Sequence, residues 1–150
     1  MTSVGGAALT RDTATTSRGW SESVWHHSYG GPGSGCSLYE PKPAFQTDTG
    51  CDMRSVADVP VVADPVTGVS VYQTYGGSGR AVYGGTSASS PIGDEAYAAA
   101  GTPAAGSYPN SYPYQNPAAL NDMTAGSDGS CTPCVQRRPA ARVTPCTSPL

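Results

Sequence analysis

The sequence predicts a loop-rich chain that mixes short strands with helix, and three observations carry that expectation. Short apolar runs rich in β-branched and aromatic residues, such as Val69-Ser70-Val71-Tyr72 and Arg80-Ala81-Val82-Tyr83, read as strands. The alanine-rich segment Ala96-Tyr97-Ala98-Ala99-Ala100 reads as helix. With 19 glycines, 14 prolines and only 13% charged residues against a usual quarter, turns should be many and long helices few. A length of 150 residues suits one domain, but one Phe and short aliphatic runs leave a modest core.

Taken in order, Val4-Gly5-Gly6-Ala7-Ala8-Leu9 reads as a short strand with a glycine break, followed by a polar turn from Arg11 to Arg18. His26 and His27, the only histidines, precede a Gly-rich loop where exposed histidines are common, and a Ser/His hydrolase would need one of them as base. Between Arg54 and Tyr72, two strands are joined by Asp64-Pro65-Val66-Thr67-Gly68, with proline near the start of the turn and glycine near its end. Asp58 and Asp64 suggest catalytic carboxylates by type, yet their setting in strand and turn favours structural hydrogen bonding. Gly76-Gly77-Ser78-Gly79 reads as a hairpin turn; it lacks the βαβ context and the following Lys-Ser/Thr of a phosphate loop.

The strand Arg80–Tyr83 runs into Gly84-Gly85-Thr86-Ser87-Ala88-Ser89-Ser90-Pro91 and then into helix, which places Ser87 where a strand turns into a helix. Two glycines allow close backbone approach, and a helix start presents unpaired N–H groups to an oxyanion. That arrangement suits a nucleophilic serine; the same residues also make ordinary turn and N-cap chemistry. Pro91 is expected in the first helical turn, where its missing N–H costs no bond. Asp94 and Glu95 lie about 10 and about 12 Å along a helix axis from Ser87, too far for direct proton transfer.

The string Gly84–Pro91 resembles the serine motif of the sedolisins, the serine-carboxyl peptidases, acid-active relatives of the subtilisins. Gly19-Trp20-Ser21-Glu22-Ser23-Val24-Trp25 and the block Arg54–Tyr72 resemble further segments of that family in family order. The resemblance runs from about Val4 to Gly129. It implies an α/β fold, the C-terminal portion of a subtilisin-like catalytic domain lacking its early strands and helices, with residues 1–129 as a partial peptidase domain. It also implies a serine-type endopeptidase acting on peptide or protein substrates outside the cell, with Ser87 as nucleophile. In the family a glutamate and an aspartate relay the serine's proton, and another aspartate helps form the oxyanion hole; none has a counterpart here. A chain with this serine alone is expected to be inactive by itself, and the alternative is a non-catalytic remnant or a disulfide-stapled binding fragment. After Pro91 the sequence departs from the family: Ile92-Gly93-Asp94-Glu95 brings a glycine and two acids into a helix that is apolar and buried there, which suggests damage or local rearrangement.

Asn121–Gly129 resembles the start of the family's calcium site, in which the Asp122 carboxylate and the Met123 carbonyl would be ligands and Asp128 a possible third. The later Gly-x-Asp segment that completes the shell is absent, so no bound calcium is expected. Residues 130–150 hold three arginines and no acid, whereas five Lys and Arg against eleven Asp and Glu give the preceding chain −6; this tail is expected to be disordered. Of the five cysteines, Cys36 and Cys51 flank a segment resembling the family's substrate-domain loop and are expected to pair, two buried free thiols being the alternative. Cys131 and Cys134 form a lone CxxC, a weak signal for zinc or redox chemistry. A net charge of −3 gives no reason to expect nucleic acid or an anionic membrane as partner, no run is long enough for a membrane span, and no signal peptide is expected.

Overall fold

The computed structural model describes residues 1–27 and 30–128. The tail expected to be disordered, residues 130–150, lies outside the described residues, as do Cys131 and Cys134. Within them the architecture is mixed strand and helix, built as three small sheets and one long helix.

Strand β1 (Val4–Arg11) is the middle of a three-stranded sheet. After the turn that Asp12 caps, with Oδ1 accepting the N–H groups of Ala14 and Thr15, β2 (Trp20–Val24) returns antiparallel with Ala7 opposite Val24. On the other side β5 (Val59–Val62) lies parallel, Val4 opposite Val59 and Ala7 opposite Val62. The expected glycine break in β1 does not occur. Gly5 and Gly6 are buried in a continuous strand, because a Cβ on Gly6 would meet Ala63 Cβ at 2.8 Å and Trp25 Cε3 at 3.0 Å. Tight packing, not flexibility, is why glycine stands there.

A second lobe is organised by polar groups. β3 (Gly35–Cys36) pairs antiparallel with β4 (Ser55–Val56), and Cys36 and Cys51 form a disulfide with Cα atoms 5.4 Å apart, as expected. Inside the loop it closes, Asp48 accepts from Gly50 N, Cys51 N and the Ser55 hydroxyl and pairs with Lys42. Partial burial pushes the Asp48 carboxyl up, yet the Ser55 hydrogen bond and the Lys42 charge outweigh it and hold the group below the usual carboxylate range. Asp58 is buried and accepts from Ser3 N at 2.7 Å, Arg54 Nη2 at 2.5 Å and Tyr114 Oη at 2.8 Å, so the structural role expected of it holds. Among the described residues the buried side chains include Ala7, Trp25, Cys51, Ala57, Ala63 and Met123 on the apolar side and Gln46, Ser55, Asp58, Asp64, Ser89 and Ser111 on the polar side. Hydrogen bonding therefore carries much of the specificity of this core.

β6 (Val69–Gln73) and β7 (Gly79–Tyr83) form the expected hairpin, with Gln73 opposite Gly79 and Gly76 at φ 65° in its turn. β7 leads into α1 (Thr86–Ala100), which packs on β1 and β5. Two expectations about α1 change. Pro91 is its sixth residue, in the second turn, so its missing N–H deprives the Ser87 carbonyl of its helical partner. Nor do residues 92–95 disturb it: the helix is continuous, Gly93 is buried with Val4 Cγ2 3.4 Å from where a Cβ would stand, and Asp94 and Glu95 face water. Between Gly101 and Asn116 lie a 3-10 turn, Pro109–Ser111, and the single-turn helix α2 (Tyr112–Gln115), with Pro109 first in the one and Pro113 second in the other, positions where a proline needs no N–H partner. Aromatic residues tie this segment down, Tyr97 donating to Pro109 O and Phe45 stacking tilted on Tyr114 with centroids 5.0 Å apart.

Candidate functional site

The turn between β7 and α1 is held by backbone. Gly85 caps the helix at φ 92°, a conformation favouring glycine, and no side chain caps the first turn. Its N–H donates to Ala63 O at 2.5 Å, while its carbonyl accepts from Ala88 N at 2.9 Å and Ser89 N at 3.3 Å. Gly84 is pressed against the chain after β5: a Cβ there would collide with Ala63 O and stand 2.5 Å from Pro65 N. Ser89, fully buried, donates to Val62 O at 2.9 Å and also lies 3.2 Å from Val61 O, sewing α1 to the end of β5. A single sequence holds no signal for that role of Ser89.

Ser87, the second residue of α1, is exposed, and its hydroxyl has no hydrogen-bond partner among the described residues. The first N–H groups of a helix have no intrahelical acceptor, so the Ser87 N–H is suited to hold the oxyanion that forms on a carbonyl oxygen when the Ser87 hydroxyl adds to that carbonyl. Asp94 and Glu95 lie farther along the same helix, exposed, and do not join it.

His26 is exposed, whereas His27 places Nε2 2.9 Å from Oδ1 of buried Asp64, which also accepts Val66 N–H at 2.8 Å. Asp64 thus has the structural hydrogen bonding expected of it. Its pairing with His27 was not legible, since 37 residues separate the two and only folding brings them together.

The calcium residues lie apart from this turn. Met123 buries its side chain with Ala7 and Val24. Ala7 alternates with Gly6 and Val4, so this cluster is on the sheet face opposite α1. Asp122 is exposed, and Asp128 accepts a hydrogen bond from the Ser34 hydroxyl. Calcium takes six to eight oxygens, and among the described residues no three His, Cys, Asp or Glu side chains group to hold a metal. Also among the described residues, no helix is long and apolar enough to cross a membrane. Compared with known proteins, the chain matches no family model and no curated protein.

Proposed function

We propose that the chain is the C-terminal portion of a subtilisin-like, sedolisin-type peptidase domain, that Ser87 is its nucleophile, and that by itself it does not hydrolyse peptides. One observation carries the reading: an exposed serine at the second position of a helix, after a glycine pair whose backbone is locked onto the neighbouring strand. The sequence blocks that resemble the family support it, and so does the layering of α1 on the parallel pair β1 and β5. In the proposed chemistry the Ser87 hydroxyl attacks a peptide carbonyl, and the Ser87 N–H stabilises the oxyanion that forms. The proton must pass to carboxylates, and α1 offers none within reach. A serine hydroxyl without a base is a poor nucleophile.

The test has two arms. The chain alone, incubated with denatured protein at pH 3 to 5, is expected to give no cleavage that Ser87→Ala removes. Joined to the N-terminal part of a sedolisin catalytic domain, with its Glu-x-x-x-Asp helix and Ser-Gly-Asp strand, it is expected to gain cleavage that Ser87→Ala abolishes. Failure of the second arm with a folded fusion would overturn the nucleophile assignment. A second reading, a non-catalytic disulfide-stapled binding fragment, draws on the exposure of Tyr39, Tyr72, Tyr75 and Tyr108, and that failure would favour it.

A further inference from the structure

We propose that His27 is a positioning residue for the Ser87 turn, acting through Asp64, and that charging its imidazole at acid pH tightens the hold. The functional meaning rests on Ser87 being the nucleophile; the physical link does not.

The link is a short series of rigid contacts. His27 Nε2 meets Asp64 Oδ1 at 2.9 Å, and the same carboxylate oxygen fixes its own turn by accepting Val66 N–H. Asp64 is one residue from Ala63, whose carbonyl receives the Gly85 N–H, and one from Pro65, against which Gly84 is packed too closely for any side chain. The far end of the turn is locked as well, since a Cβ on Gly68 would collide with Tyr83 O. The segments 63–68 and 83–85 are therefore interlocked backbone against backbone. Ser87 follows two residues after Gly85, and a pull on Asp64 has no soft side chain in which to dissipate before reaching it.

Histidine changes charge between pH 5 and 8, and a hydrogen bond from an imidazolium to a carboxylate is shorter and stronger than one from neutral imidazole. His27 is partly exposed, so protons reach it, and Asp64 is buried, so the added attraction is poorly screened. Among the described residues the neighbouring loop also carries His26, adjacent in the chain, and Asp128, which lies beside Gly31 and accepts from the Ser34 hydroxyl. A domain with an acid-active nucleophile would thus hold its turn most firmly under the conditions of catalysis.

The experiment is an amide chemical-shift titration of the full chain from pH 8 to 5, with the His26 and His27 ring resonances followed in parallel. The amides of Gly84, Gly85 and Ser87 are expected to move with the midpoint of the His27 ring. His27→Gln keeps a neutral donor near Asp64 and should abolish the titration while leaving the spectrum dispersed; Asp64→Asn should do the same, and His26→Gln should leave it intact. Amides that do not titrate, that follow His26, or that titrate unchanged in His27→Gln would overturn the proposal. No hydrolysis is measured, so failure here is distinct from failure of the Ser87 assignment.

Discussion

At the scale of single residues, Asp58 is a buried carboxylate on which several distant segments converge. Its carboxylate receives Ser3 N, Arg54 and Tyr114, with Gln46 Nε2 at 3.4 Å, and its side chain is wholly buried. Asp58→Ala would leave the Arg54 charge and several donors without an acceptor, and breaking one side of a buried ion pair costs about 3–5 kcal/mol. Urea unfolding of Asp58→Ala is expected to show a loss of that order, and a loss below about 1 kcal/mol would mean that water replaces the carboxylate. Tyr114 gives this cluster an alkaline signature. Burial first, and then the neighbouring Asp58 carboxylate, push its hydroxyl up to about 12, with the Gln46 hydrogen bond opposing. The unfolded chain releases the phenolic proton near pH 10 and the folded chain holds it to about 12. Above pH 10 the unfolded state therefore binds fewer protons and stability falls as pH rises. Thermal unfolding between pH 9 and 12 should show a decline that is shallower in Tyr114→Phe.

At the scale of elements, α1 is stabilised by its seat on the sheet more than by its own sequence. Its N-terminus has no side-chain cap, it lacks acids in the first turn and basic residues in the last, and Pro91 removes a bond from its second turn. What holds it is Ser89 bonded to the carbonyls at the end of β5 and Gly93 lying over Val4. A Cβ on Gly93 would stand 3.4 Å from Val4 Cγ2, an ordinary contact at a helical backbone position. Gly93→Ala is thus expected to stabilise by about 0.5–1 kcal/mol through lower unfolded-chain entropy. Gly93→Leu should destabilise, because a branched side chain at that distance pushes α1 off β1. Equal destabilisation by both, read from denaturant midpoints, would show that no space exists there.

For the whole molecule, the small apolar core makes the cross-link consequential. The disulfide spans a sequence separation of 15 residues, for which the chain-entropy account gives about 3 kcal/mol. Cys36→Ala/Cys51→Ala is expected to lose about that amount in denaturant unfolding. The loss should be smaller if the Asp48 hydrogen bonds keep this loop ordered in the unfolded chain. A double variant as stable as the parent would indicate that the disulfide adds nothing to the fold.

Local pattern determined much of this protein. The β6–β7 hairpin follows from β-branched and aromatic residues around a glycine turn. The exposed serine between strand and helix follows from Gly-Gly-Thr-Ser before an alanine-rich run. Those features depend on neighbours within a few residues, where backbone preference and spacing suffice. Tertiary structure decided the rest. Gly5 and Gly6 read as a break and prove to be a packed strand, because Trp25, Pro32 and Ala63 press on Gly6 from afar in the chain. Pro91 reads as a first-turn residue and stands in the second, because the helix begins where Gly85 meets the Ala63 carbonyl. His27 reads as a loop histidine and is paired with a buried aspartate 37 residues away. Each depends on distant segments meeting at close-packed backbone, and the order of residues along one chain does not show which segments those are.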